Sequence, residues 1–305
     1  MANDIGSGDV VFTTNFSFFA TTEVISLIGA KPVFVDVDDN TFNLNPYLLE
    51  EKIKLILNEN EFTPKAIISV DLFGQLANYV EIERIAKKYN LLLIEDAAQS
   101  FGASFKDKKS CSFGDIAATS FYPAKPLGCY GDGGAIFTND INLAEKIRSI
   151  RVHGEGKDKY DNIRIGLNSR LDTIQAIVIL EKMKIFDKEI KLRNDVADYY
   201  SKSLHEYVQI PEIIDGNISS WAQYSIIVNK GNRDSLANYL KEHNIPSAVF
   251  YRKPFNTLDL YNENNIFDYE VSLSLSKSIL SLPMHPYLTK DELDKVIGTI
   301  KKFYD

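Results

Sequence analysis

Only two cysteines and four histidines occur among the 305 residues, and that scarcity removes several chemistries at once. Cys111 and Cys129 cannot build a disulfide framework, and neither lies in a C-x-x-C pair. The histidines, His153, His205, His243 and His285, are nowhere at ligand spacing, which leaves a metal hydrolase without a site. Blocks of arginine and lysine are also missing. With a formal charge of −8 and a pI near 5.2, the chain has no dedicated surface for nucleic acid. No apolar run reaches membrane-spanning length, and "MANDIGSGDV" lacks the basic and apolar regions of a signal peptide. A reducing cytoplasm is the simplest compartment, with neither nucleic acid nor membrane as a partner. There is no G-x-G-x-x-G and no G-x-x-x-x-G-K-S/T, so dehydrogenase and nucleotidase readings lose their anchors.

What is present is ordinary in amount and ordered in pattern. Hydrophobic residues make up 45% and charged residues 25%, typical of a globular chain long enough to bury a large core. "DVVFTTNF", "GAKPVFVDVD", "KAIISVDLFG" and "LLLIED" read as short buried strands. "FFATTEVISLI" and "NYVEIERIAKKYN" between them have helical spacing. Strand and helix in alternation predict right-handed crossovers and a mainly parallel central sheet with helices on both faces, an α/β fold. "FGDIAATSFY" and "GAIFT" add further strands joined by loops. From "LDTIQAIVILEKMKIF" to "KSLHE" the pattern is helical throughout and reads as a bridge between domains. We expect residues 1–185 to form a large α/β domain, and 186–305 to comprise the linking helix and a small C-terminal α+β domain built from "WAQYSIIVN", "RDSLANYLKEHN" and "DELDKVIGTIKKFY".

The stretch with the most chemical content is "TSFYPAKPLGCYGDGG", residues 119–134. Pro123 and Pro126 fix their own φ angles around Lys125, and Pro126 also drives Lys125 out of helical geometry. A solubilising surface lysine needs no such frame. The glycines that follow precede a strand, so a turn or bulge fits them better than a phosphate cradle at a helix start. Asp96 ends the apolar run "LLLIED", and in parallel sheets ligands bind beyond the carboxyl ends of strands. Asp96 alone could equally cap "AAQSFGA". Together with Gln99, a nearby hydroxyl and a rigid lysine, it fits pyridoxal 5'-phosphate. A lysine amine condenses with the aldehyde, and a buried carboxylate keeps the ring nitrogen protonated so that the ring acts as an electron sink.

Five stretches in order, "FSFFATTEVISLIGAKPVFVDVD", "LLLIEDAAQSFGA", "GDIAATSFYPAKPLGCYGDGGAIFT", "NSRLDTIQA" and "LSLPMHPYLT", resemble the DegT family of sugar-nucleotide aminotransferases, and they span nearly the whole chain. The resemblance implies the fold of the aspartate aminotransferases (fold type I) and the same cofactor. Residue by residue, it implies that Lys125 carries the cofactor and moves the proton. Asp96 pairs with the pyridine nitrogen, Gln99 contacts the phenolic oxygen, Ser120 binds phosphate and Phe18 stacks on the ring. For Ser120 the alternative is a strand serine bonded to backbone, and for Phe18 it is core packing, as expected of Phe16 or Phe19. Asn168 matches an asparagine that reaches the phosphate held by a neighbouring subunit, implying a homodimer with shared active sites; a helix N-cap is its local alternative. Arg170 matches an arginine that grips a substrate carboxylate, against a surface ion pair with an acid such as Asp172. His285 and Tyr287 match a loop near the sugar nucleotide, and His153 lies in a segment that in relatives approaches the neighbouring site.

The activity implied is transfer of an amino group, with glutamate the expected donor, to a nucleotide-linked keto sugar. The wording of "KPLGCYGDGG" and "NIRIGLNSRLDTIQA" most resembles enzymes acting at C3 of a UDP-2-acetamido-3-keto uronic acid, in the biosynthesis of bacterial surface polysaccharide such as lipopolysaccharide. Alternatives are a C4-aminating enzyme for a UDP- or dTDP-linked 4-keto deoxysugar, or a non-catalytic remnant. Family members open with a glycine- or serine-threonine motif at a helix start that contacts the phosphate. Here Gly6 to Asp9 already resemble the turn beyond that helix, so weak cofactor binding or poor folding is expected of an N-terminally truncated chain.

Overall fold

A computed structural model describes residues 1–158, 160–228, 231–264 and 268–305, the side chains of 262–264 excepted. In chain order the first elements are β1 (Asp9–Thr14), α1 (Ala20–Leu27), β2 (Lys31–Val35), α2 (Pro46–Glu59), β3 (Thr63–Val70), α3 (Tyr79–Tyr89) and β4 (Leu92–Asp96). There follow two short strands, β5 (Ser104–Phe105) and β6 (Lys108–Lys109), then β7 (Ile116–Ser120), β8 (Gly134–Phe137), α4 (Ile141–Arg151) and the long α5 (Thr173–Leu204). The C-terminal part contains β9 (Asn217–Ile218), β10 (Tyr224–Ile227), α6 (Arg233–Glu242), α7 (Glu270–Ser278), β11 (Ile279–Leu282) and α8 (Lys290–Tyr304).

The expected α/β sheet is present as six strands in the order β2-β1-β3-β4-β7-β8. All neighbours are parallel except the β7–β8 edge pair. Continuous apolar runs follow from burial on both faces. Val10, Phe12, Val33, Val35, Ile67 and Leu93 meet Leu49 and Ile53 of α2 and Ile82 and Ile85 of α3. On the opposite face Val11, Ala66 and Ile68 pack with Ile25 of α1. Each of the larger side chains among them, Val, Leu, Ile or Phe, contributes roughly 1.5–3 kcal/mol on removal from water.

Helix α2 lies outside the elements expected from hydrophobic spacing, although Asn45 caps its first turn through Tyr47 and Leu48, Pro46 occupies the first position, and Asn60 closes it in the left-handed region. The same holds for α4, α7 and β11. Helix α7 has no side-chain cap of its own next to it in sequence. Instead Asp36, just past the end of β2, accepts from the backbone N–H groups of Val271 and Ser272, each at 2.9 Å, and from the Ser272 hydroxyl.

Helix α5 joins two packing units. Its Ile179, Phe186 and Ile190 cover Phe121, Leu127 and Cys129, while Val196, Ala197, Tyr200 and Leu204 enter the C-terminal core with β10, β11, α6 and α8. The segment before α8 also returns to the large sheet. Phe255, Tyr261 and Tyr269 pack on Phe34, and Leu275 and Ile279 join Phe16, Val37 and Val70. The C-terminal part is therefore fastened over the carboxyl ends of β1 and β2. Among the described residues no helix is long and apolar enough to cross a membrane.

Candidate active site

The residues expected to act lie where parallel strands run out. Asp96 is the last residue of β4, Ser120 the last of β7, and Phe18 follows the end of β1. Sheet register fixes this grouping: Asp96 is opposite Val70 on one side and Ala118 on the other.

Lys125 sits in a tight loop after β7. Its backbone N–H donates to the Tyr122 carbonyl at 2.9 Å, and the Cys129 N–H returns to the Phe121 carbonyl at 2.8 Å. Gly128 lets the loop close, because a Cβ there would stand 2.5 Å from the Pro123 carbonyl oxygen. Lys182 of α5 donates to the Gly128 carbonyl at 2.6 Å and ties the loop to the long helix. The glycine-rich stretch does lead into a strand, β8, as expected of a turn. Burial holds the Lys125 amine below the ordinary lysine range, and the nearby Asp96 charge works against that shift.

Asp96 is half-buried, and desolvation pushes its carboxyl above the usual carboxylate range. Opposing this are the Thr21 hydroxyl, which donates to Oδ2 at 2.8 Å, the Ala98 N–H, which donates to Oδ1 at 3.2 Å, and the Lys125 charge. The capping and the ligand-facing readings of Asp96 are therefore compatible, since each oxygen retains a free lone pair. Gln99 is buried with its amide orientation fixed: a backbone N–H can only donate, so Oε1 faces Phe73 N at 2.8 Å and Nε2 faces the Tyr251 hydroxyl at 3.2 Å. Ser120 Oγ accepts from Tyr122 N at 3.2 Å, which leaves its own proton free for an anionic ligand. Phe18 is 58% exposed and tilts against Tyr251 with centroids 6.4 Å apart, whereas Phe16 is fully buried. An exposed ring is what a stacking role requires, and core packing is excluded for Phe18.

Two residues here were not anticipated. Thr21 is two positions beyond Phe19 in α1, and nothing in "FFATTEV" marks which threonine faces inward. Tyr251 comes from the C-terminal part, half-buried against Phe16 and Phe250, with its phenol held well above the ordinary tyrosine range by desolvation. Only packing brings it to Gln99.

The remaining expected residues are placed elsewhere on the chain. Asn168 is exposed and its backbone bridges to Val152. It does not cap α5, whose N-cap is Asp172, so the local alternative fails. Arg170 is exposed, and among the described residues it has no ion pair with Asp172 or any other acid. His285 is in the exposed turn after β11, where its Nδ1 accepts from Tyr287 N at 3.2 Å. Tyr287 is also exposed and donates to Glu189 Oε1 at 2.5 Å, a carboxylate contact that raises its phenol. His153 has a φ of 56° at the start of the turn containing Gly154. None of these five has a hydrogen bond to Lys125, Asp96 or Gln99 among the described residues.

The group beyond the strand ends suits pyridoxal phosphate. A desolvated amine, a half-buried carboxylate with spare lone pairs, an amide with a second N–H to give, a free hydroxyl proton and an open aromatic face each match one part of that cofactor. A parallel α/β sheet with such a site defines a pyridoxal-phosphate-dependent transaminase. The chain belongs to the DegT/DnrJ/EryC1/StrS aminotransferase family, which matches residues 1–301. It is 48% identical over 295 residues to the UDP-2-acetamido-2-deoxy-3-oxo-D-glucuronate aminotransferase of Pseudomonas aeruginosa, covering 94% of this chain and 77% of that protein. A DegT DnrJ EryC1 StrS aminotransferase from Brucella abortus superposes with a TM-score of 0.97 at 50% identity, covering 99% of this chain and 81% of that one. NtdA of Bacillus subtilis, solved with bound cofactor PMP, superposes at 0.88 with 28% identity, covering 99% of this chain and 69% of that one.

Proposed function

We propose that this protein transfers the amino group of glutamate to C3 of a UDP-linked 2-acetamido-3-keto uronic acid, serving bacterial surface polysaccharide. The observation that carries the substrate reading is Arg170: an exposed guanidinium without an acidic partner among the described residues, in a chain 48% identical to a UDP-2-acetamido-2-deoxy-3-oxo-D-glucuronate aminotransferase. Guanidinium binds a carboxylate through two parallel hydrogen bonds.

Bound at the strand ends, pyridoxal phosphate supplies the aldehyde that takes up the amino group and the ring that delocalises the electron pair left at the donor's Cα. Lys125 Nζ holds the cofactor at rest. As a free amine Lys125 Nζ would take the proton from the donor's Cα, a role favoured by the burial that lowers its proton affinity. The same nitrogen returns a proton when the keto sugar receives the amine. Asp96 keeps a proton on the ring nitrogen, Gln99 Nε2 donates to the ring oxygen, Ser120 donates to phosphate, and Phe18 covers the ring. His285 and Tyr287 are assigned to the nucleotide-sugar side.

Asn168 and Arg170 serve the site of a second copy in a homodimer. The support is the apolar surface around them: Ile163, Ile165, Leu167, Ile174, Ile177 and Leu180 are each at least half exposed. Cys111 and Cys129 are free thiols, which agrees with a cytoplasmic setting.

The test is reduction of the cofactor-loaded protein with borohydride, followed by peptide mapping and by turnover of the keto sugar with glutamate. The label is expected on Lys125, and turnover is expected to disappear in Lys125→Ala. Label on another lysine, or turnover surviving in Lys125→Ala, would falsify the assignment.

A further inference from the structure

We propose that Thr21, oriented by Ser17, is a positioning residue that holds Asp96 in its ionised, ring-facing state. The proposal rests on the reading of Asp96 as the partner of the cofactor's ring nitrogen.

The directions of the hydrogen bonds follow from the donors available. Thr21 Oγ1 is 2.8 Å from Asp96 Oδ2 and 3.2 Å from Ser17 Oγ. A threonine hydroxyl has one proton. Given to the carboxylate, it leaves Thr21 Oγ1 as the acceptor toward Ser17, so the chain of donors runs Ser17 to Thr21 to Asp96. Ser17 and Thr21 are shielded, 4% and 6% exposed, and Asp96 is half-buried at the strand end.

A carboxyl removed from water favours its neutral form. A neutral Asp96 could not retain the proton on a pyridine nitrogen, so donors aimed at the carboxylate are needed at this place. Ala98 N–H supplies one at Oδ1 from the strand's own continuation. Thr21 supplies the other at Oδ2 from a different element, and burial of the contact strengthens it. The Thr21 N–H bonds to the Phe18 carbonyl at 3.1 Å, so one turn both presents the Phe18 ring outward and directs the hydroxyl inward. Stacking and ring-nitrogen contacts are thereby set by a single backbone feature.

The experiment compares wild type, Thr21→Val, Thr21→Ser, Ser17→Ala and Asp96→Asn for pyridoxal phosphate affinity, the absorption band of the bound cofactor, kcat, and melting temperature without cofactor. Thr21→Val is expected to weaken cofactor binding by roughly 10- to 100-fold, the range for a hydrogen bond to a charged group, and to change the absorption band in the direction seen for Asp96→Asn. Thr21→Ser should restore both, and Ser17→Ala should give a smaller change of the same sign. Wild-type affinity and spectrum in Thr21→Val, or failure of Thr21→Ser to restore them, overturns the role of Thr21. If Thr21→Val does not fold, Thr21→Ser and Ser17→Ala still decide, since an unchanged spectrum in Ser17→Ala removes the relay. Should Asp96→Asn itself leave affinity and spectrum unchanged, the reading of Asp96 fails instead.

Discussion

Gln99 Nε2 donates to the Tyr251 hydroxyl at 3.2 Å, joining the turn after β4 to a side chain 152 positions further along. The second N–H of the same amide remains available to the cofactor's ring oxygen, so Tyr251 sets how Gln99 presents it. Tyr251→Phe keeps the ring against Phe16 and Phe18 and removes only the hydroxyl. We expect kcat/KM to fall about tenfold, the worth of one buried hydrogen bond, with unfolding stability changed little. Steady-state kinetics with urea titration checks both; a large stability loss without a kinetic effect would assign Tyr251 to packing alone.

Lys125 gives a pH dependence whose sign can be worked out. Burial lowers its proton affinity in the folded chain, while the unfolded chain keeps the proton up to about pH 10.4. Between those points the unfolded state binds more protons, so this group's contribution to stability rises with pH. Its destabilising effect is full below the folded pKa and gone above the unfolded one. Lys125→Met is therefore expected to stabilise the cofactor-free protein at pH 7, with the gain shrinking toward pH 10.5. Thermal melts at the two pH values measure this, and an equal gain at both counts against it.

Gly74 has a φ of +102°, and a Cβ there would lie 2.5 Å from Ser220 Oγ and 2.7 Å from Trp221 N. Gly74→Ala meets both backbone strain and a backbone obstacle that cannot move aside. A loss of about 3 kcal/mol or more is expected in urea unfolding. A loss under about 1 kcal/mol would show that the loop relaxes freely.

Arg170→Ala separates carboxylate recognition from general binding. The KM for the keto uronic acid should rise by about 10- to 100-fold, as expected for loss of a charge-assisted pair, while that for the matching uncharged keto sugar changes little. Equal effects on the two substrates would remove the carboxylate role.

Shared sites predict complementation. Lys125→Ala and Arg170→Ala, each impaired alone, should regain activity when co-expressed, because the mixed dimer contains one site with both residues intact. Activity no higher than that of Arg170→Ala alone would place Arg170 and Lys125 in the same subunit's site.

The legible part of the fold was the part encoded over short distances. β1 to β4, α1, α3, α5 and α8 have their own periodicity, and α8 carries a capping box between Thr289 and Glu292. Helix α2 was marked by Asn45 and Pro46 and could have been read. Helix α7 could not, because "EVSLSLSKS" alternates with period two and its N-terminus is capped by Asp36, 235 residues earlier.

The sequence by itself determined where the chemistry would stand: Asp96 at a strand end, Lys125 framed by Pro123 and Pro126, and Gly128 in the loop that follows. Backbone restrictions of this kind act within a few residues and survive without a fold. Tertiary structure alone decided the state of those groups. Desolvation of Lys125 and Asp96 and the Thr21 contact made across 75 residues exist only once the sheet and its helices are assembled, and the Tyr251 contact made across 152 only once the C-terminal part packs over that sheet. Exclusion of water and convergence of distant donors are properties of packing, and no local spacing contains them.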